Sequence, residues 1–352
     1  ADGHSRRVEL LRLPPYDYNM ARLIALSALR REIASVDDLD AYDERLAAIM
    51  REPPPWSGWQ FVGMGFLLSA AVAMLLRGGW VEMLCGGLIG MGFVAGYLLF
   101  SRIPRLGPAV PVILCALAAI AAQGLAQVFP QQLPFISAVA GIVLLLPGFM
   151  ITVAMSELAT QNYLAGTGRL TGALVLLFLM GAGLAIGSQV SLTWLPPLPL
   201  PASTASLPAW AVWLSIAALG VSLLAVLQAP WSAVHVSVGA CLLAWAVYSL
   251  VDARMGNVVG AFAGALAVAS AGHLYQYLSK RPAALVQIPG LIALVPGSMG
   301  FRGVHALIRQ DSTAGISLIT DMVLTAAVLA VGLLLADNIL PLLFERRGGE
   351  KA

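Results

Sequence analysis

The chain has 352 residues, of which 59% are hydrophobic and 11% charged, and its mean hydropathy is +0.85. A typical soluble globular protein is ~45–50% apolar and ~25% charged, so this composition argues against a water-soluble enzyme and favours a membrane protein. The formal net charge of +2 argues against a nucleic-acid-binding surface.

The charged residues concentrate at the two ends of the chain. Residues 1–56 carry 18 of the 38 charged side chains and residues 345–352 carry five, which leaves 15 for the long middle part. This division predicts a cytosolic helical head over 1–56 and a cytosolic tail over 345–352. Within the head, residues 19–31 predict one short amphipathic helix, and a capping pattern from Ser35 to Asp38 predicts the start of a second.

The apolar middle part contains ten runs long enough to cross a bilayer, since a spanning helix needs ~20 mostly apolar residues. The runs are 58–76, 80–100, 108–128, 135–156, 169–187, 208–227, 231–250, 256–275, 284–305 and 316–337. A proline-rich stretch over 188–207 predicts an extracytoplasmic linker between a first five-helix repeat, 57–187, and a second, 208–344. The distribution of Lys and Arg among the loops places both termini in the cytoplasm.

An internal repeat relates the two halves. A shift of 149 residues aligns Gly141–Gly172 with Gly290–Asp321 without a gap, and 10 of the 32 positions are identical. Each half holds five predicted spans, an odd number, so the second half is predicted to enter the bilayer inverted relative to the first. Inverted repeats are typical of secondary transporters that alternate access to a site at the membrane midplane.

The repeat includes a Pro-Gly pair inside span 4 and another inside span 9. Pro147-Gly148 and Pro296-Gly297 lie about twelve residues into their spans, close to the bilayer centre at a rise of ~1.5 Å per residue. Proline removes a backbone donor and glycine permits unusual dihedrals, so both pairs predict broken helices. Free amides and carbonyls at such a break favour an ionic ligand, with an anionic carboxylate at the amides; a packing kink is the alternative.

At these residues the chain resembles the threonine/serine exporter family of bacterial membrane proteins. The resemblance rests on LLPGFMITVAMSELATQNYLAGTGRL in the first half and IPGLIALVPGSMGFRGVHALIRQDSTAGI in the second. It implies export of L-threonine and L-serine from the cytoplasm, driven by the proton gradient. We expect the protein to lie in the inner membrane and to need no cofactor. The alternatives are a dicarboxylate exporter of the same family, acting on a succinate-like substrate, and a channel or membrane scaffold. The expected partners are the substrate, protons and the lipid bilayer, and a homo-oligomer is compatible with the sequence.

Two sets of candidate site residues follow. For substrate binding they are Pro147, Gly148, Met150, Thr152, Pro296, Gly297, Ser298 and Arg302. Arg302 is suited to hold a carboxylate bidentately, or equally to reach the headgroups. For gating or proton coupling the candidates are Glu157, Arg169, Asp321 and His273.

An ionisable side chain within a membrane has a high cost in free energy, so its presence indicates a functional role. Glu157 and Arg169 form either a cytoplasmic gate or an ion pair that holds a loop. Asp321 is a carboxyl that protonation would neutralise, and His273 either carries a proton or serves packing. Glu82 is expected to be interfacial. The sequence contains no phosphate-binding loop, metal-spaced cluster or nucleophile–base pair, so we expect neither metal nor enzymatic activity.

Overall fold

The structure, a computed structural model, describes residues 18–32, 39–196 and 207–348, and in these ranges all regular structure is helical. Eight helices are long and apolar enough to cross a membrane. A bent pair of helices over 134–159 makes a further span if it is counted as one, and Trp210–Val226 is a shorter apolar helix of 17 residues. The chain is therefore a multi-pass, all-helical membrane protein.

Two short helices precede the membrane part. Helix α1 is Met20–Glu32 and helix α2 is Leu39–Arg51, in agreement with the two helices predicted for the head. The capping pattern at 35–38 lies outside the described residues. Helix α1 docks through the backbone, because the amide of Met20 donates to the carbonyl of Leu227 at 2.9 Å.

In the described residues, twelve α-helices form the membrane part, six in each half of the chain. Those of the first half are α3 Gly58–Leu75, α4 Trp80–Phe100, α5 Val110–Val128, α6 Pro134–Gly141, α7 Gly148–Ala159 and α8 Tyr163–Trp194. Those of the second half are α9 Trp210–Val226, α10 Val234–Met255, α11 Asn257–Ser279, α12 Ala284–Leu294, α13 Gly297–Ile308 and α14 Ser312–Gly348.

Helices α8 and α14 are longer than predicted, with 32 and 37 residues. The predicted spans began at 169 and 316, whereas each helix begins directly after a tight turn, at Tyr163 and Ser312. At ~1.5 Å per residue a helix of 32 residues is about 48 Å long, well beyond the ~30 Å of hydrocarbon. The ends of α8 and α14 therefore extend past the apolar layer.

The two halves share local geometry at positions 149 residues apart. Gln161 and Gln310 both adopt the left-handed region, each with a φ of 64°. On the same turns, the amide of Asn162 donates to the carbonyl of Glu157 at 2.8 Å, and the amide of Asp311 donates to the carbonyl of Ala306 at 2.9 Å. The stretches that match in sequence thus form the same turn in both halves.

The two larger buried clusters each join both halves of the chain. One buried cluster joins Leu177 and Met180 of α8 with Phe301 of α13 and Met322 of α14. A second cluster joins Leu68 of α3 with helices α9 to α12 of the second half. Because α3 packs on α9 while α14 packs on α7, the two halves hold each other in place.

Glu82 is a structural carboxylate, buried to 1% exposure at the start of α4. Its Oε2 accepts the amide of Gly79 at 2.7 Å, which caps α4, and its Oε1 accepts the amide of Leu133 at 2.8 Å, which precedes α6. Both carboxyl oxygens thus accept a backbone hydrogen bond, as buried polar atoms require. Glu82 therefore joins the starts of two spans.

Candidate functional site

Both predicted helix interruptions are present, and their backbones match. In the first half Leu146 is extended, Pro147 has φ −80° and ψ 31°, and α7 begins at Gly148. The chain also bends by 51° between Pro134–Gly141 and the segment Val143–Ala159. In the second half Val295 is extended, Pro296 has φ −81° and ψ 34°, and α13 begins at Gly297. Each proline lacks an amide hydrogen and precedes the first residue of a half-helix, a position where an amide hydrogen would have no acceptor within the helix.

The two interruptions contact each other, and we call residues 146–148 together with 295–297 the Pro-Gly crossing. A Cβ placed on Gly148 would lie 2.7 Å from Cα and 2.8 Å from N of Gly297. A Cβ placed on Gly297 would lie 3.3 Å from both Cα and N of Gly148. Only glycine permits the backbones to approach so closely at this point.

The Pro-Gly crossing brings backbone amides, with partial positive charge, and backbone carbonyls, with partial negative charge, into one buried place. Helices α7 and α13 both begin there, so their first amides and the positive ends of their dipoles lie side by side. The chain arriving from α6 and α12 ends there as well and supplies carbonyls without a helical partner. The four residues of the two Pro-Gly pairs are buried. The arrangement places amide donors, suited to an anionic group, close to carbonyl acceptors, suited to a cationic group.

The neighbouring candidates differ in what their side chains contact. Met150 packs towards α8, since a Cβ on Gly172 would lie 3.2 Å from the Met150 Cε. Thr152 is buried, and its hydroxyl donates to the carbonyl of Gly148 at 3.3 Å. Ser298, the second residue of α13, is half-buried. Thr152 is thus directly bonded to the Pro-Gly crossing, and Ser298 is adjacent to it in the chain.

Arg302 and Asp321 lie on exposed surfaces of α13 and α14. No hydrogen bond or ion pair of either side chain occurs within the described ranges. Arg302 shares one face of α13 with Ser298, His305 and Arg309 at helical spacing, and the His305 ring stacks on Phe135 at 4.7 Å. The structure therefore does not pair Arg302 with Asp321, and their roles stay predictions.

Glu157 and Arg169 meet in a bidentate ion pair. Nε of Arg169 donates to Oε2 of Glu157 at 2.7 Å, and Nη2 donates to Oε1 at 2.5 Å. The side chains are 16% exposed for Arg169 and 21% for Glu157. This fork geometry is the strong form of the interaction. It ties the end of α7 to the beginning of α8, which suits either of the two roles predicted for the pair.

Tyr18 is close to the site, although no motif marks it. Its ring meets Phe149, the residue after Gly148, edge to face at 5.6 Å between centroids. Burial and the negative charge of Glu157 raise the pKa of Tyr18 to about 12. The head is held there because Trp56 Nε1 donates to the carbonyl of Ala229 at 2.8 Å. A segment that precedes the membrane part thus reaches the neighbourhood of the Pro-Gly crossing.

His273 belongs to a polar cluster that contains a carboxylate the sequence reasoning missed. Its Nε2 lies 2.7 Å from Oδ1 of Asp337, and Gln287 Nε2 donates to the same oxygen at 3.1 Å. Asp337 is the last residue of the predicted tenth span, where a carboxylate looks interfacial, and it carries no motif. In the described part of the chain no three His, Cys, Asp or Glu residues are grouped as metal ligands.

Comparisons with known proteins agree on one family. The family described as "Putative threonine/serine exporter" matches residues 3–191, and "Threonine/Serine exporter, ThrE" matches residues 211–339. No solved structure matches the chain.

Curated relatives come from bacteria and fungi. The "Threonine/serine exporter" of Corynebacterium glutamicum is 26% identical over 91% of this chain and 67% of its own length. The "Probable threonine/serine exporter" of Mycobacterium tuberculosis is 27% identical over 91% and 62%. The "Pheromone-regulated membrane protein 10" of Candida albicans is 25% identical over 82% and 26%. The chain thus spans roughly two thirds of the bacterial relatives and about a quarter of the fungal one.

Proposed function

Since the chain belongs to the threonine/serine exporter family, we propose that it exports L-threonine, L-serine or a similar small neutral amino acid from the cytoplasm in exchange for protons. The Pro-Gly crossing is the observation that carries this proposal. Two helix breaks with the same backbone geometry, one from each half, meet there at buried glycines. Discontinuous helices that meet between repeats form the binding sites of many secondary transporters.

The proposed topology has ten spans in two inverted halves. It counts the eight long helices, the bent pair α6–α7 and the short helix α9. Each half then contributes five crossings, which inverts the second half relative to the first. The excess of Lys and Arg in alternate loops would place both termini in the cytoplasm of a bacterium and the protein in its inner membrane.

The proposed ligand is a zwitterion because the Pro-Gly crossing offers both kinds of backbone group. The substrate carboxylate would accept hydrogen bonds from the first amides of α7 and α13, and its ammonium group would donate to carbonyls just before each Pro-Gly pair. The contact between Gly148 and Gly297 leaves little room, which favours a small side chain. Thr152 and Ser298 provide hydroxyl groups for the hydroxyl of threonine or serine.

A dicarboxylate is the second candidate substrate, but its second carboxylate would need a cation. On α7 and α13, the half-helices that begin at the Pro-Gly crossing, Arg302 is the basic residue near their starts, and it lies on an exposed face of α13. An amino acid needs no such cation at the Pro-Gly crossing. The geometry therefore favours the neutral amino acid.

The proposed cycle exposes the Pro-Gly crossing to each side of the membrane in turn. The Glu157–Arg169 pair would act as the cytoplasmic gate, because it fixes the end of α7, whose other end lies at the crossing. Protons moving inward would drive the amino acid outward. An ionisable group inside the membrane part must then bind and release the proton.

Efflux from proteoliposomes tests the proposal. Vesicles containing the full chain are loaded with labelled threonine, serine or succinate, and efflux is followed with and without an imposed pH gradient. We expect threonine and serine to leave against their concentration gradients only when the pH gradient is present. Preferential succinate efflux would support the dicarboxylate exporter instead. Downhill flux alone would indicate a channel, and no flux of any substrate a scaffold.

A further inference from the structure

Two polar side chains, from two helices of the second half, contact the same carboxylate oxygen on a third helix. His273 of α11 lies 2.7 Å from Asp337 of α14, and Gln287 of α12 donates to the same Oδ1 at 3.1 Å. Nε2 of Gln287 also approaches the carbonyl of Ala269 at 3.4 Å, which fixes the amide between α11 and α14. The carboxylate is thus held from two sides.

All three residues lie within helices that are long and apolar enough to cross a membrane. The His273 side chain is 17% exposed and that of Asp337 is 40% exposed, so the pair lies at the edge of the bundle with one side accessible. Ionisable groups in such helices are costly, and packing alone does not need them, because apolar residues hold helices together equally well. Their presence therefore favours a function that needs ionisation.

The pair has the chemistry of a proton carrier. Histidine changes its charge between about pH 5 and 8, and a carboxylate at hydrogen-bond distance stabilises the imidazolium that forms. When Nε2–H is donated to Asp337, an incoming proton binds at Nδ1 of His273, and the same proton leaves from that atom. The step transfers one proton in and one out, and no other bond is made or broken.

Other titratable and charged groups lie at the same end of the second half. Among the described side chains they are Tyr275, Tyr277 and Lys280 on α11, Arg281 after it and His235 on α10, whereas α12 has no charged residue. Further along α14 the sequence carries Glu345, Arg346 and Arg347. From the head, Arg31 donates to the carbonyl of Lys280. Asp321 is on the same helix as Asp337 but sixteen residues away, about 24 Å along the axis. Asp337 is accordingly the described carboxylate that faces His273.

The pair is also connected to the proposed substrate site. Helix α12, which carries Gln287, leads directly into the break at Val295 and Pro296. Helix α14, which carries Asp337, packs on both α7 and α13, the half-helices that begin at the Pro-Gly crossing. A change of charge at the pair alters the bond between α11 and α14 and can be transmitted to the crossing through these contacts.

We propose that the His273–Asp337 pair, held by Gln287, is the site that binds and releases the transported proton. This inference rests on the proposed function of a proton-coupled exporter. It assigns the coupling to the second half and separates it from the Glu157–Arg169 pair of the first half. It also gives Asp337 a role that neither its position nor any motif in the sequence suggests.

The test compares two modes of transport by the full chain in proteoliposomes. Counterflow exchange of labelled threonine needs no net proton movement, whereas uphill export under an imposed pH gradient does. We expect Asp337→Asn and His273→Gln each to lower uphill export at least tenfold while exchange stays within about twofold of the wild type. Asn338→Ala is the matched control, because Asn338 is the next residue on α14 and, among the described residues, its side-chain amide donates to the carbonyl of Leu334 on its own helix and to no other group.

Each of the other possible results would refute either the assignment of the His273–Asp337 pair or the proposed function. Variants that export uphill like the wild type overturn the assignment of the pair. Folded variants that lose exchange as well overturn it too, since the pair would then serve substrate binding or structure. A wild type that moves neither threonine nor serine overturns the proposed function, and the pair with it. Should Asp337→Asn fail to fold, His273→Gln, which keeps a donor towards Asp337, carries the test alone.

Discussion

Gly148 and Gly297, 149 residues apart in the chain, pack backbone against backbone where two membrane helices are interrupted. Each glycine is the first residue of a half-helix and follows a proline with nearly the same dihedral angles. The contact joins equivalent points of the two halves. It makes the Pro-Gly crossing a single structural unit to which both halves contribute.

A methyl group at Gly148 cannot be accommodated without a shift of the crossing. In Gly148→Ala the new Cβ would lie 2.7 Å from Cα of Gly297, so we expect a loss of stability of about 1–3 kcal/mol, typical of overpacking, and strongly reduced threonine efflux. Thermal unfolding in detergent and efflux assays measure the two effects.

Gly239→Ala is the matched control for that substitution. Gly239 also lies within a membrane helix, α10, but a Cβ there meets nothing within 4 Å. Alanine is the better helix former by ~1 kcal/mol, so this variant should be as stable as the wild type or slightly more so. Equal behaviour of the two variants would contradict the close contact at the crossing.

Neutralising one partner of the Glu157–Arg169 pair leaves the other charge partly buried. Glu157→Gln and Arg169→Gln should therefore each destabilise the protein, by less than the ~3–5 kcal/mol of a fully buried pair because both side chains remain 16–21% exposed. The double variant should recover part of this loss. A double-mutant cycle on thermal unfolding measures the coupling.

Transport by the double variant distinguishes the two roles predicted for this pair. A gate that has lost its ion pair should leak, so labelled threonine should escape faster in the absence of a pH gradient. If the pair only holds the loop between α7 and α8, the double variant should retain gradient-dependent export at a rate close to that of the wild type.

Arg302→Gln separates the two substrate classes. Because Arg302 lies on an exposed face and makes no ion pair within the described residues, we expect threonine efflux by this variant to stay within about twofold of the wild type. A tenfold rise in the threonine concentration for half-maximal exchange would show that Arg302 holds the carboxylate, and would revive the dicarboxylate alternative.

Tyr18 should make stability fall at alkaline pH. Its pKa in the folded protein, about 12, exceeds the ordinary value of about 10, so the neutral phenol favours the fold. This contribution is fully present below pH ~10 and is lost as the pH rises towards 12. Tyr18→Phe should reduce the drop in unfolding temperature between pH 9 and 11, and an unchanged drop would contradict the burial of the hydroxyl.

Replacing Glu82 should affect folding rather than transport chemistry. Glu82→Ala leaves two backbone amides, those of Gly79 and Leu133, without their acceptor at the starts of α4 and α6. Each unsatisfied buried donor costs about 1–3 kcal/mol, so a large loss of stability is expected. Glu82→Gln retains one acceptor oxygen and should lie between the wild type and alanine in thermal unfolding.

The helix breaks were predictable from the sequence because their cause is local. A proline followed by glycine in the middle of an apolar run removes a backbone donor wherever the helix lies in space. The contact between Gly148 and Gly297 was expected only through the analogy with inverted repeats, since it depends on how α6–α7 packs against α12–α13. The contact between Glu157 and Arg169 was predicted correctly because only the short turn at 160–162 separates the helices that carry them.

The sequence did not predict which side of a helix a residue lies on or which distant residue it contacts. The position of Arg302 along the chain gives its depth in the span but not the side of α13 on which it lies, and that side is exposed. Asp337 was missed because its partner, His273, is 64 residues away. The position of Tyr18 depends on where the head docks, which hydrophobic periodicity does not encode.

The left-handed turns at Gln161 and Gln310 give α8 and α14 a mechanical property. Each turn leaves three residues between a half-helix of 12 residues and a helix of 32 or 37 residues, so we expect the two helices to tilt together. With an arm of about 48 Å for α8, a rotation of ~10° near its start would displace its far end by about 8 Å. A small rotation of a half-helix at the Pro-Gly crossing would thus produce a large displacement of the far end of α8 or α14 at the membrane surface.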